Sequence, residues 1–138
     1  TTNPILNTKF MNRQYLNAEQ FQADLAQFNG SEKSYYRDTP LGRIEYTDGI
    51  RYLQQNGCLW IVDAIASYQT QEFKAADDRQ FWKLRVNLDT HSAKLVCDDG
   101  NGNIRVTQKI ELTDFPLSEL RIYVEITDRV FLCLMSEY

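Results

Sequence analysis

Two side chains set four residues apart, Asp63 and Ser67, share a narrow polar stripe inside an apolar run. A carboxylate held there must be paired or hydrogen-bonded, since an unpaired buried charge is costly. Arg43, Arg51 or Tyr52 are conceivable partners. With Tyr46, Tyr52 and Tyr68 nearby in sequence, Asp63 is a candidate pocket acid whose pKa burial would move. Tyrosines suit such clefts because they pair an apolar body with a polar tip. The plainer alternative is a polar anchor for helix packing, with the tyrosines filling the core. Other chemistries lack parts. The single histidine, His91, stands in Asp89-Thr90-His91-Ser92, a turn-like stretch, so no multi-histidine zinc site can form within one chain. Cys58, Cys97 and Cys133 are widely spaced and form no close pair. That usage suits a reducing cytosol. Read from Asp99, the run to Asn103 resembles the start of a calcium loop. Its sixth position is Ile104 where glycine is needed and its twelfth is Ile110 where a bidentate glutamate is needed. A hairpin loop explains the same residues. No glycine-rich phosphate loop is present. No catalytic residue, metal ligand or cofactor is therefore assigned.

The elements that would position these groups come in two halves. Ala18, Phe21, Leu25 and Phe28 recur at helical spacing after a capping Asn17, and Gly30 follows as a stop. Ser34–Asp38 and Gly42–Tyr46 read as a small hairpin. Thr47 or Asp48 caps a short helix that carries Ile50 and Leu53 inward and ends at Asn56-Gly57. A deeply buried helix runs from about Leu59 to Gln69, and Thr70 to Asp78 reads as a polar connector.

From Phe81 the apolar period becomes two. Pairing Leu88 with Ala93, and Cys97 with Ile104, puts the apolar residues of those strands on one face. Strands continue through Leu120–Ile126 and Val130–Met135. The expected fold is α+β: N-terminal helices packed on one face of a roughly five-stranded antiparallel meander. The domain spans 17–138, preceded by an arm over 1–16. The last strand is apolar on both faces, which calls for a covering helix or a second subunit, so monomer and homodimer both remain open.

With 15 Lys+Arg against 19 Asp+Glu, the 138-residue chain carries a net charge of −4, so it is no basic nucleic-acid coat. Yet the alternation turns Lys83, Arg85, Lys94, Arg105 and Lys109 outward, and Arg121 joins them. Such a basic face suits phosphates or an acidic partner. With Tyr123 the main aromatic there, support for single-strand recognition is weak. The bland alternative is a solvated sheet face.

Tyr46-Thr47-Asp48-Gly49-Ile50-Arg51-Tyr52-Leu53, then Trp60-Ile61-Val62-Asp63-Ala64-Ile65-Ala66-Ser67-Tyr68-Gln69, resembles a family of short uncharacterised bacterial proteins classed as a domain of unknown function. The resemblance implies bacterial, sometimes mobile-element, proteins without an assigned activity, so it transfers no site residue. The expectation is a non-enzymatic cytoplasmic accessory protein acting by protein–protein interaction, encoded by a phage or plasmid. The alternatives are nucleic-acid or acidic-partner binding through the basic face, and a small enzyme using Asp63. No stretch is long and apolar enough for a membrane span, and residues 1–16 lack the make-up of a signal peptide.

Overall fold

Apolar residues at helical spacing form α1 (Ala18–Ala26), whose buried residue is Phe21. The expected arm over 1–16 and the Asn17 cap lie outside the residues described by the computed structural model, 18–30 and 33–138. Phe21 packs edge-on against Phe115, 5.5 Å between centroids, and the Tyr52 hydroxyl donates to Asp24 Oδ2 at 2.7 Å. Helix α2 (Asp48–Leu53) begins where Thr47 Oγ1 accepts from the Ile50 amide. One wide turn, Gln54–Cys58, breaks at Asn56 and at Gly57, whose φ of 88° suits glycine. Helix α3 (Leu59–Ser67) follows and buries Ile61, Val62, Ile65 and Ala66. The expected connector after it contains a six-residue helix, α4 (Gln71–Ala76), capped by Thr70 accepting from the Phe73 amide at 3.2 Å. One apolar residue orients it: Phe73 lies 6.2 Å from both Tyr68 and Trp82.

The strands are β1 (Tyr35–Thr39), β2 (Gly42–Tyr46), β3 (Arg79–Asn87), β4 (Ser92–Asp98), β5 (Ile104–Ile110), β6 (Glu119–Ile126) and β7 (Val130–Leu134). They form one seven-stranded sheet in the order β1-β2-β7-β6-β3-β4-β5. The fold is α+β as expected, but the five-stranded antiparallel meander is corrected to a mixed sheet. Parallel pairing of β2 with β7 adds the β1–β2 hairpin. Strand β6 pairs with β3 instead of β5. The reason lies in the link between β5 and β6, which crosses the end of the β3–β4 hairpin. There the Thr113 amide donates to the His91 carbonyl and the Val86 amide to the Ser118 carbonyl, both at 2.8 Å, while Phe115 is buried against Phe21.

Both hairpin registers are also corrected, by two residues. Val86 lies opposite Ala93 and Trp82 opposite Cys97. Cys97 in turn faces Val106 rather than Ile104. The first slip follows from the turn: Asn87 Oδ1 accepts from the amides of Asp89 and Thr90, which makes Asn87–Ser92 the last pair. A slip of two keeps side chains on their faces, except at Ile104 and Arg105, where an extra residue intervenes. Trp82, Leu84, Leu95 and Ile122 accordingly press on Ile61 and Ile65 with no space for a water between them. Removing one such side chain, as in Leu95→Ala, costs about 2–5 kcal/mol.

Candidate docking surface on the open sheet face

The opposite face of the sheet carries the charge. Its alternation exposes Lys83, Arg85, Lys94, Lys109 and Arg121 at least in part. The registers align them in rows across four strands. One row runs Glu119, Arg85, Lys94, Lys109 from β6 through β3 and β4 to β5. The next runs Arg121, Lys83, Val96, Thr107, and a third runs Tyr123, Phe81, Asp98, Ile104. Glu119 is the one carboxylate of the first row. It accepts from Arg121 Nε at 2.7 Å and lies 3.8 Å from Arg85 Nε. The hydrogen bond from Arg121 holds Glu119 below the usual carboxylate range, helped by the charges of Lys83 and Arg85. Among the described residues, Lys83, Lys94 and Lys109 form no ion pair. Between these cations lies an open concavity of about 820 Å³ with Val96 and Ile104 in its lining; Asp98 and Glu111 are the carboxylates at its border, against four cations. Ile104 is 63% exposed.

Arg105, expected among the outward cations, points to the other side. The register shift next to Asp98 inserts it as an extra residue, turning Ile104 out and Arg105 toward α4. There its guanidinium sits 3.8 Å above the Phe73 ring, donates to the Phe73 carbonyl at 3.0 Å and approaches Asp77 Oδ2 at 3.1 Å. It fastens α4 to β5.

The other half of this face neutralises itself. Arg43 pairs with Asp38 at 3.0 Å and covers Tyr36; Arg129 pairs with Glu45 at 2.6 Å and covers Phe131. Arg79 lies 3.8 Å from Glu125 and 5.4 Å from the Tyr138 ring. Phe81, Tyr123 and Tyr138 meet edge-on at 5.0 and 4.7 Å. The outer residues of β7 thus find cover within the chain: Phe131 lies under Arg129, and Cys133, 5% exposed, stands opposite Tyr123.

Asp63 is not buried. Its side chain is 53% exposed and accepts from Arg37 Nη2 at 2.6 Å; Arg37 also reaches Gln54 Oε1. The tyrosines grouped with it lie apart. Tyr46 stacks on Tyr35, Tyr52 bonds Asp24, and the Tyr68 hydroxyl donates to Gln108 Oε1 at 2.7 Å. Burial and the Asp24 carboxylate push the Tyr52 phenol up. Neither Asp63 nor these rings line the concavity between the cations. His91 occupies the β3–β4 turn at φ 61°. In the loop after β4, Asp99 Oδ1 accepts from the amides of Asn101 and Asn103, and Gly100 and Gly102 take positive φ as a hairpin loop requires. Burial pushes the Cys97 and Cys133 thiols up to about 12.

Two polar clusters escape the sequence reading. Gln69 and Gln80, both buried, exchange amide hydrogen bonds of 2.9 Å, and Trp82 Nε1 donates to Gln80 Oε1 at 2.9 Å. The period-two pattern already turns Gln80 inward beside Trp82, a usable signal. Glu137 accepts from Thr47 Oγ1 at 2.5 Å and from the amides of Gly49 and Leu134 at 3.0 Å each. No local pattern announces that clasp, because its partners lie up to 90 residues apart.

Comparison with curated proteins and with solved structures gives no match. Residues 19–138 match the family model described as a family of unknown function, DUF6876, and the chain belongs to that family.

Proposed function

We propose that this chain is a non-enzymatic binding protein that holds an acidic protein partner on the cationic rows of β3, β4 and β5. The observation that carries the reading is the row Arg85, Lys94, Lys109, three like charges set directly opposite one another. Such neighbours repel by roughly 0.2–1 kcal/mol a pair. Three of the four cations around the concavity, Lys83, Lys94 and Lys109, keep this arrangement without an ion pair among the described residues. An incoming carboxylate relieves the repulsion. A protein suits this surface better than a nucleic acid for two reasons. Val96 and Ile104 give the concavity an apolar floor. Phe81 and Tyr123, the nearest rings, turn edge to face on each other rather than presenting open stacking platforms.

Poly-L-glutamate and a single-stranded oligonucleotide are the probes that test it, each titrated by fluorescence anisotropy over a range of salt. Poly-glutamate binding should weaken steadily with salt. It should be lost in Lys94→Glu/Lys109→Glu, whose circular dichroism stays native. Equal binding by the variant refutes the proposal, and tighter binding of the oligonucleotide transfers the face to nucleic acid.

A further inference from the structure

Strand β5 ends the sheet, and among the described residues it pairs only with β4. Sheet edges of this kind invite pairing with another chain, and proteins usually blunt them with prolines, bulges, short length or charge; the bulge of β5 lies at its start, by Arg105, and leaves Val106–Ile110 regular. Strand β5 is seven residues long, contains no proline and is rich in β-formers: Ile104, Val106, Thr107, Ile110. The opposite edge differs. Strand β1 has five residues, and its outward Arg43 neighbour on β2 is already paired with Asp38, so no unpaired cation stands at that edge among the described residues.

The charges of β5 are distributed unequally. Arg105 is withdrawn to α4, which leaves Lys109 as the cation on the outer side of the strand. Lys109 also terminates the row that begins at Glu119 on β6 and passes through Arg85 and Lys94. One further strand beside β5 would put a fifth residue in that row. A lysine or arginine there meets three cations in succession, whereas a glutamate or aspartate completes the row with a carboxylate at each end. At the other end of β5, Ile104 stands 63% exposed, so the same strand gains by placing an apolar residue there. A positively charged edge therefore repels basic strands and selects acidic ones.

We propose that β5 is an acceptor edge, to which an extended acidic peptide segment of the partner adds as an eighth strand, with a carboxylate beside Lys109 and an apolar residue against Ile104. The inference rests on the binding function proposed above and gives it a geometry. Main-chain hydrogen bonds supply affinity and the cationic row supplies selection.

The probe is a synthetic peptide alternating glutamate with valine and threonine, ending in leucine. Its counterpart has the same side chains but carries N-methyl groups on alternate backbone amides. The methylation comparison leaves the protein unaltered, so folding does not confound it; the charge-reversal arm uses the variant whose circular dichroism is checked. The unmethylated peptide should bind, slow hydrogen exchange of β5 amides, and lose affinity about tenfold or more on methylation. A peptide with lysine in place of glutamate should bind only to Lys94→Glu/Lys109→Glu. If the methylated peptide binds as tightly as its parent while charge reversal abolishes both, the edge inference fails and the face proposal stands. If neither peptide responds to charge reversal, both fail. Protection confined to amides of β1 would also overturn the assignment of the edge.

Discussion

Replacing Gln80 by leucine removes one side chain and disturbs three. Gln80 is fully buried and stands at the centre of three hydrogen bonds of 2.9 Å: two exchanged with Gln69 and one received from the Trp82 indole. Leucine fills nearly the same volume, so no cavity opens. What remains is a Gln69 oxygen, one Gln69 N–H and the Trp82 N–H, all without their partner. Each orphan costs about 1–3 kcal/mol. Burial of the leucine returns about 1.5–3 kcal/mol. The balance is a loss of about 4 kcal/mol and a Tm lower by about 10–20 °C. The double variant Gln69→Leu/Gln80→Leu removes the stranded oxygen as well. Its Ile65 carbonyl, which loses the Gln69 amide donor at 3.0 Å, still accepts from the Tyr68 amide at 3.2 Å. The double variant should therefore be no less stable than Gln80→Leu alone, a coupling of about 1–3 kcal/mol. Urea unfolding of the four proteins measures both quantities. Wild-type stability in Gln80→Leu, or strict additivity in the double variant, refutes the account of a polar cluster satisfied only as a unit.

Four further outcomes follow from the geometry. Glu119→Gln frees Arg85 and Arg121 from their shared carboxylate, so affinity for poly-glutamate should rise in the salt titration. The same variant bears on acid stability. Because the folded pKa of Glu119 lies below its unfolded value, its contribution is complete above the ordinary carboxylate range and vanishes as pH falls through the folded value. The urea midpoint of the variant should accordingly fall less on acidification than that of the wild type. Glu137→Ala strips the acceptor from Thr47 and from the Gly49 and Leu134 amides, and should cost about 2–4 kcal/mol in urea unfolding. Finally, Cys58, Cys97 and Cys133 are all buried, and in native protein at mildly alkaline pH they should react with Ellman's reagent only as fast as the chain opens. Rapid labelling of any of the three would contradict the packing described.

Local chemistry was legible in the sequence where a few adjacent residues decide the outcome. The Phe21 spacing, the Thr47 cap and the Asn56-Gly57 break each carry their own signal. Sheet faces were legible for the same reason, since alternation assigns Leu84 and Lys83 to opposite sides in any register. Alternation does not distinguish registers two residues apart, and there the Asn87 side chain decided. Arg105 was misplaced because a single inserted residue inverts the pattern locally. The seven apolar residues around Asp63 between Leu59 and Ala66 suggest burial, yet α3 leaves one strip uncovered and Asp63 lies on it. Helix α4 offers only Phe73 as an apolar signal. The parallel join of β2 to β7 brings together residues more than eighty positions apart, for which no short-range pattern exists.

That join also governs the order in which the protein can be made. Val130–Leu134, which leaves the ribosome after the other six strands, occupies the seam between the β1–β2 hairpin and the rest of the sheet. Until it emerges, β6, β3, β4 and β5 can assemble, but Ile44 and Tyr46 are flanked by β1 alone and Thr47 lacks the Glu137 clasp. Closure of the sheet thus waits for this segment, and a nascent chain interrupted before Val130 leaves Ile44 and Tyr46 without their neighbours on that side.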